Sequence, residues 1–247
     1  MKRLYYKNEL LFALLWIAIY VLLMSISDYF SVLVGIEKVF TAPIILIIAM
    51  FLLVWIKKEK LSEKYGLVKT KFSSKTYLWF IPLAITVSVN FWGGVCLQYT
   101  TLEIVLYIIS MICVGIVEEI IFRGFLFKYL SKNNLTMAVI ISSLTFGFGH
   151  IINLLSGAEL LGTLLQVCYA TAAGFAFTII FYKSGSLLPC IVTHSLMNAT
   201  SVFSCHANSV MNIVTAIVLI VVFVGYAFWV LRMEKTKQKN SESTENQ

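Results

Sequence analysis

The sequence predicts an all-α polytopic membrane protein: a bundle of about eight transmembrane helices with both termini in the cytoplasm. The 247 residues are 60% hydrophobic and only 13% charged, and their mean hydropathy is +0.89. A soluble domain carries about 25% charged residues. The apolar residues also come in long runs, as expected of helices that cross a bilayer.

Eight apolar segments can be placed along the chain, near residues 9–27, 39–56, 77–97, 103–131, 134–155, 159–183, 186–206 and 208–232. The first segment follows Lys2 and Arg3 and so resembles a signal peptide. However, it is longer than the usual apolar core of a signal peptide, and further spans follow it. We therefore interpret it as a retained helix.

The distribution of lysine and arginine predicts the orientation. Of the 19 basic residues, all except Lys38 and Arg123 lie in the segments that are cytoplasmic when the amino terminus is inside. Cytoplasmic loops carry such an excess of basic residues. The net charge of +7 is therefore typical of membrane flanks. The sequence contains no basic patch with interleaved aromatic residues, so nucleic-acid binding is not predicted.

The five cysteines show no paired spacing, and most lie within apolar runs. Free cysteine behaves as a small buried hydrophobe. We therefore expect packing roles for the cysteines and no disulfide framework.

Six polar residues interrupt the predicted fourth, fifth and seventh spans. A charged side chain at the centre of a membrane helix costs up to about 3 kcal/mol on insertion, so such residues are expected to serve packing or chemistry. They are Glu118, Glu119, Arg123, His150, His194 and Asn198.

Helical spacing predicts how these residues pair. Glu119 and Arg123 are four residues apart and share a face, so they can form an ion pair. Glu118 is turned by about 100° from Glu119 and can point elsewhere. His194 and Asn198 share a face of the seventh helix.

On the fifth span, Phe146 and His150 lie four residues apart with Gly147 and Gly149 between them. The glycines would allow another backbone or a substrate chain to come close. The polar residues lie at different depths in the three spans. A tilt, or a break near Gly147 and Gly149, would be needed to bring them together.

A glutamate, two histidines and an asparagine that converge from three helices predict a hydrolytic site. Glu118 and His150 would deprotonate a water, and His194 with Asn198 would stabilise the oxyanion. Glu118, His150 and His194 could alternatively hold a divalent metal such as Zn²⁺. The sequence has no H-E-x-x-H motif, which favours a hydrolytic mechanism that requires no metal cofactor.

Two nucleophilic alternatives are less favoured. Cys190 lies four residues before His194 and could be a nucleophile with a neighbouring base. A cysteine inside a membrane is more often a packing residue. Ser195 would face away from His194 on a helix.

EEIIFR from Glu118, FGFGH from Phe146 and HSLMN from His194 occur in this order. They resemble the E-E-x-x-x-R, F-x-x-x-H and H-x-x-x-N motifs of the CAAX protease and bacteriocin-processing family, the type II CAAX prenyl endopeptidases. The resemblance implies an intramembrane protease with an eight-helix core. It also implies that Glu118 and His150 activate water, that His194 and Asn198 form the oxyanion site, and that Glu119, Arg123 and Phe146 support them.

The resemblance divides the chain into four parts. Residues 1–100 would form the first three transmembrane helices with a cytoplasmic loop at 57–75. Residues 101–206 would form the catalytic core of helices four to seven, residues 207–232 the last helix, and residues 233–247 a disordered cytoplasmic tail.

The predicted function is hydrolysis of peptide bonds in membrane-associated or lipid-anchored peptides and proteins, in CAAX-type processing, bacteriocin maturation or self-immunity. The expected location is the bilayer of a bacterial plasma membrane. The alternatives are a non-catalytic scaffold or bacteriocin-immunity protein and, less favoured, a transporter that uses Glu118 and His150 for proton coupling. The sequence does not determine the oligomeric state.

Overall fold

The computed structural model describes residues 1–69, 81–205 and 208–245, with side chains for 1–69, 83–155, 157–205 and 208–232. The helices of this part of the chain are α1 (Lys2–Lys7), α2 (Glu9–Val34), α3 (Thr41–Lys58), α4 (Ile81–Ser88), α5 (Thr101–Glu118), α6 (Lys128–Leu130), α7 (Leu135–Gly149), α8 (Leu160–Ser184), α9 (Leu188–Thr200) and α10 (Ser209–Glu245). A π-helical segment, Glu119–Phe127, joins α5 to α6. Short 3₁₀ helices occupy Val89–Phe91, His150–Ser156 and Ser201–Phe203.

The predicted all-α class is confirmed. Six helices of the described residues are long and apolar enough to cross a membrane: Glu9–Val34, Thr41–Lys58, Thr101–Leu130, Leu135–Leu155, Leu160–Ser184 and Ser209–Arg232. They coincide with six of the eight predicted spans, as expected of a multi-pass membrane protein.

The other two predicted spans contain shorter helices. The described part of span 77–97 holds α4 and the 3₁₀ helix after it, and residues 77–80 lie outside the described residues. Span 186–206 holds α9, which has 13 residues, and a 3₁₀ helix. The count of eight spans, the orientation of the termini, and the division of the chain at residues 100, 206 and 232 with a disordered tail stay predictions.

Local sequence signals set the helix ends. Thr100 and Glu103 form a capping box at the start of α5, in which each side chain satisfies a backbone N–H of the other residue. Asn134 caps α7 by accepting a hydrogen bond from the Met137 N–H at 2.9 Å. Helix α8 ends at Gly185, whose positive φ of 67° is the left-handed conformation that glycine adopts readily.

The helix ends form two opposite faces of the bundle. We name the first the lysine-rich face; it contains the helix ends near residues 1–9, 58–69, 130–135 and 184–188. Here Glu9 pairs with both Lys64, at 2.9 Å, and Lys132, at 2.8 Å. These contacts tie the amino terminus to two loops that are distant in sequence.

The opposite face, named the disulfide face, contains the helix ends near residues 34–41, 91–101, 156–160, 203–205 and 208–209. Lys38 pairs with Asp28 at 2.8 Å on this face. Cys96 and Cys205 form a disulfide there. The expectation of packing roles for all five cysteines was therefore wrong for this pair. Cys96 and Cys205 are 109 residues apart, and the folding of α4 and α9 side by side brings them together.

An aromatic cluster packs between α1, α2, α3 and the π-helical segment near the lysine-rich face. Tyr5, Phe12, Trp55, Tyr65 and Phe125 are all buried. The Phe12 ring lies 5.1 Å from both the Trp55 and Phe125 rings, and the Tyr65 ring lies 5.0 Å from Phe125. Such contacts between ring edges and faces stabilise a core beyond the area that it buries. These helices are therefore tightly packed where the five rings meet.

Candidate active site

The polar residues of the first motif lie where the α-helix becomes a π-helix. Glu118 is the last residue of α5, and Glu119 begins the π-helical segment, all of whose residues are buried. The π-helix is rare and often occurs at functional sites, because it changes the direction in which successive side chains point. Here it separates the surroundings of two adjacent glutamates.

Glu119 and Arg123 form a fully buried ion pair. The Arg123 Nη1 donates to Glu119 Oε1 at 3.0 Å, and both side chains are 0% exposed. The predicted i,i+4 pairing is confirmed. The guanidinium carbon lies 4.1 Å from the centroid of the Phe146 ring and 5.6 Å from that of Phe177. These aromatic faces stabilise a cation whose Nε and Nη2 have no hydrogen-bond partner among the described residues.

His194 lies between the two glutamates. Its Nδ1 is 2.9 Å from Glu119 Oε1, and its Nε2 is 3.4 Å from Glu118 Oε2. The imidazole is buried, and its ring packs at 5.6 Å from the Phe146 ring, nearly perpendicular to it. The structure therefore joins His194 to both carboxylates, a contact that the separate motifs did not predict.

Tyr20 is a site residue that the sequence analysis missed. Its hydroxyl donates to Glu118 Oε1 at 2.6 Å, and both residues are buried. Tyr20 lies midway along α2, deeper than the interfacial belt in which tyrosine is usual in membrane proteins. A tyrosine at this depth in a predicted span was the one feature of the sequence that could have pointed to Tyr20 as a site residue.

His150 lies directly after a helix break. Helix α7 ends at Gly149, and His150 begins a 3₁₀ helix, so of the two alternatives, a tilt or a break near Gly147 and Gly149, the structure contains the break. The His150 Nδ1 lies 3.1 Å from the Phe146 carbonyl oxygen. Because a carbonyl oxygen only accepts hydrogen bonds, Nδ1 carries the proton in this contact, and Nε2 is the ring nitrogen that can exchange a proton with a water.

The two glycines of this motif have different surroundings. A Cβ on Gly147 would lie 1.9 Å from Thr171 Oγ1 and 2.9 Å from two backbone atoms of α8. Gly147 therefore permits the close packing of α7 on α8. A Cβ on Gly149 would meet nothing within 4 Å, and Gly149 lines the cavity described next.

A cavity of about 480 Å³ brings the predicted catalytic residues together. Glu118, His150, His194 and Asn198 all line it, although they come from three separate helical segments. Phe146 and Tyr20 also line it. Glu119 and Arg123 do not line the cavity; both are fully buried behind the residues that do.

Cys190 and Ser195 do not line the cavity. The Cys190 thiol is fully buried and donates to the Phe177 carbonyl at 3.4 Å. The Ser195 hydroxyl donates to the Ile112 carbonyl of α5 at 3.0 Å. Ser195 also packs so tightly on α5 that a Cβ on Gly115 would lie 2.4 Å from its Oγ. Neither residue is positioned as a nucleophile toward the cavity.

A metal centre does not fit the geometry of the described residues. Among them the structure contains no group of three or more His, Cys, Asp or Glu side chains that could hold a metal ion. The Nδ1 and Nε2 atoms of His194 both lie against carboxylates. We therefore derive no step through a metal at Glu118, His150 and His194.

One segment of the chain matches a family model. Residues 100–200 match the family model for type II CAAX prenyl endopeptidase Rce1-like proteins. The Rce1-like segment contains all three motifs and ends before Cys205, and it leaves α2 with Tyr20 outside the match. No curated protein and no solved structure matches the chain. The Rce1-like match indicates CAAX-type intramembrane protease activity.

Proposed function

We propose that the protein is an intramembrane endopeptidase that hydrolyses peptide bonds of membrane-anchored peptides or proteins. The observation that carries this proposal is the cavity that Glu118, His150, His194 and Asn198 line together. A concave site with a few convergent polar groups is the usual form of an enzyme site. The Rce1-like match supports the same reaction class.

The charges of the buried cluster balance when His194 carries both ring protons. The two carboxylates of Glu118 and Glu119 then face two cations, Arg123 and His194. Burial of an unpaired charge is costly, so a neutral cluster is favoured. In this state the His194 Nδ1–H donates to Glu119, and the Nε2–H is available to Glu118 or to an oxyanion in the cavity.

Glu118 is the proposed general base. Its Oε1 accepts the Tyr20 hydrogen bond, and Oε2 lies on the side of His194. His150 is the second proposed base, because its Nδ1–H is bound to the Phe146 carbonyl, which leaves Nε2 as the ring nitrogen that would accept a proton. Both side chains line the same cavity, so a water there can be deprotonated from either side.

The reaction then follows in two steps. Glu118 takes a proton from the water as the water oxygen bonds to the carbonyl carbon of the substrate, and His194 and Asn198 donate hydrogen bonds to the oxyanion that forms. The oxyanion collapses, the C–N bond breaks, and the proton on Glu118 moves to the leaving nitrogen. One water is consumed, and a carboxyl group and an amine are released.

The proposed substrates are lipid-anchored or membrane-inserted, because a cavity within a helical bundle excludes chains that are not held at the membrane. CAAX-type processing, bacteriocin maturation and self-immunity are the proposed settings, in a bacterial plasma membrane. A scaffold or immunity protein that binds without cutting remains the competing function.

The test uses full-length protein in lipid vesicles with a panel of peptides that carry a lipid anchor and a fluorogenic scissile segment. Glu118→Gln is expected to lower kcat by about 10²–10⁴-fold, the usual contribution of a general base. Glu159→Gln is the matched control, because Glu159 is an exposed acid outside the cavity. Hydrolysis in H₂¹⁸O should place ¹⁸O in the new carboxyl group.

Glu118→Gln protein that cleaves as fast as wild type would contradict the proposal. In cells, a wild-type phenotype that survives Glu118→Gln at equal expression would favour the scaffold or immunity function.

A further inference from the structure

We propose that Asn153 and Gln166 form a subsite of the cavity that binds the main chain of an extended substrate peptide. This inference rests on the proposed function and states how the same site holds its substrate. Three observations carry it: the 3₁₀ helix that follows α7, the hydrogen bond between the two side-chain amides, and the polar atoms that this bond leaves unpaired.

The 3₁₀ helix His150–Ser156 aligns Asn153 with His150. Such a helix turns once every three residues, so side chains three positions apart project in the same direction. Asn153 therefore lies one turn, about 6 Å, beyond His150 on the same side of the helix. Both residues line the cavity, as do Gly149 and Ile152, which are also three positions apart. The wall that carries the proposed base thus continues directly into Asn153.

Helix α8 supplies the second amide. It faces the cavity with side chains that recur every three or four residues, which is one side of an α-helix: Gln166, Tyr169, Ala170, Ala173 and Phe177. The Asn153 Nδ2 donates a hydrogen bond to Gln166 Oε1 at 3.0 Å. The two amides are therefore held side by side on the cavity wall.

This hydrogen bond leaves one acceptor and one donor group unpaired. The Asn153 Oδ1 and the Gln166 Nε2 have no hydrogen-bond partner among the described residues. Both side chains are only partly buried, and both line the cavity. Exchanging the oxygen and nitrogen positions of both amides would leave the same combination, one carbonyl oxygen and one NH₂ group. The pair thus presents an acceptor beside a donor to the cavity.

Asn90, a third amide on the cavity wall, is used differently. Its Nδ2 donates to the Met197 carbonyl at 2.6 Å and to Thr200 Oγ1 at 2.8 Å. Both N–H donors of Asn90 therefore hold α9 in place. The pair of Asn153 and Gln166 uses one of its N–H donors in the bond between them, and the others are available to a ligand.

The unpaired groups of the pair match a peptide unit. A peptide main chain carries one N–H donor and one C=O acceptor for each residue. When it enters a cavity inside the bundle, both groups lose water and need other partners. His194 and Asn198 are the proposed partners of the scissile carbonyl, so a neighbouring peptide unit needs a different pair.

The distance along the wall places that peptide unit. An extended chain advances about 3.3 Å per residue, so the 3₁₀ turn from His150 to Asn153 corresponds to about two residues of substrate. The Asn153 Oδ1 accepts the N–H of this unit, and the Gln166 Nε2 donates to its carbonyl oxygen.

Main-chain recognition defines the form of the substrate. A helical segment bonds its N–H and C=O groups internally, so a substrate helix must be unwound near the scissile bond before it fits. The subsite makes no demand on the substrate side chain at this position, except that proline has no N–H and is excluded.

The subsite is tested by binding of the acyl-anchored peptides to full-length Glu118→Gln protein in vesicles, read as Kd, or as KM where a peptide is cleaved. In a peptide series, one N–H at a time is replaced by an ester oxygen, which removes a single donor. We expect one ester within about two residues of the scissile bond to raise Kd by about 5-fold to 150-fold, the effect of leaving a buried polar group unpaired. With Asn153→Leu added, the parent peptide should bind as weakly, and that ester should cause no further loss.

Two further variants complete the test. Gln166→Met keeps the length of the side chain, removes the other half of the pair and should raise the Kd of the parent peptide within the same range. Asn133→Ala is the matched control, because Asn133 is an exposed asparagine that does not line the cavity, and it should leave every Kd unchanged. A thermal melt checks the folding of each variant.

The outcomes separate the subsite from the proposed function. If Asn153 and Gln166 only tie the 3₁₀ helix to α8, Asn153→Leu weakens all peptides alike and each ester costs the same in its presence, which overturns the subsite. An ester series without effect in protein that keeps Asn153 overturns it as well, and needs no variant of the pair to fold. In either case, cleavage that is lost in Glu118→Gln leaves the proposed function standing. Ester losses that depend on Asn153, in peptides that the wild type does not cleave, support the subsite and overturn hydrolysis. Peptides that are neither bound nor cleaved overturn both.

Discussion

Replacing Tyr20 by phenylalanine tests whether a residue outside the Rce1-like segment positions the proposed general base. The substitution keeps the buried ring and removes only the hydroxyl that donates to Glu118 Oε1 at 2.6 Å. A hydrogen bond to a charged group contributes about 1.5–3 kcal/mol. This free energy holds the Glu118 carboxylate in one orientation inside the cavity.

The expected loss follows from that free energy. If the hydrogen bond selects the productive orientation of Glu118, its removal lowers the population of that orientation by about 10-fold to 150-fold, at about 1.4 kcal/mol per factor of ten. We expect kcat to fall within this range and KM to stay near the wild-type value, because the ring still fills its place.

The assay is steady-state cleavage of the anchored fluorogenic peptide in vesicles, with a thermal melt of each variant. Tyr169→Phe is the matched control: Tyr169 lines the same cavity, and its hydroxyl makes no hydrogen bond to Glu118. A Tyr20→Phe protein with kcat and KM both unchanged would refute the reasoning. A rise in KM alone would instead assign Tyr20 to substrate binding.

Three further predictions concern stability, each measured as a shift in thermal or denaturant unfolding in detergent. Arg123→Met removes one of the two cations that face Glu118 and Glu119, leaves the buried cluster with an uncompensated negative charge, and should cost about 3–5 kcal/mol; an unchanged melt would mean that Glu119 is neutral in the fold. Gly147→Ala should cost about 1–3 kcal/mol because α7 and α8 must separate. Gly149→Ala, its control with open space around the new Cβ, should leave the melt almost unchanged; equal effects would contradict the packing argument. The double substitution Cys96→Ser and Cys205→Ser should cost about 2–5 kcal/mol of stability. Reduction of the disulfide in the wild-type protein should lower the stability by the same amount; a melt insensitive to both changes would show that the disulfide does not stabilise the fold.

Local patterns in the sequence predicted several parts of the site. The i,i+4 spacing predicted the ion pair of Glu119 with Arg123. The different depths of the polar residues required a tilt or a break near Gly147 and Gly149, and the structure contains the break before His150. Both features depend on residues within one turn of each other, and short-range geometry is shared by all helices. The roles of Glu118, His150, His194 and Asn198 in catalysis stay predictions.

Other parts of the site depend on contacts between distant segments. Tyr20 and Glu118 are 98 residues apart, and His194 and Glu119 are 75 apart. A regular α-helix was assumed through Glu119, whereas the chain continues there as a π-helix. That change alters the direction of each following side chain, so no periodic pattern could predict that His194 would lie between both glutamates.

The sequence by itself determined the helical membrane class, the positions of six long spans and the polar residues inside them, because hydropathy acts segment by segment along the chain. Only the tertiary structure decided which of those residues meet. The rotation and packing of the helices bring Tyr20 and His194 to Glu118 and Cys96 to Cys205. These contacts between distant residues depend on close packing across the whole bundle, which no local sequence pattern encodes.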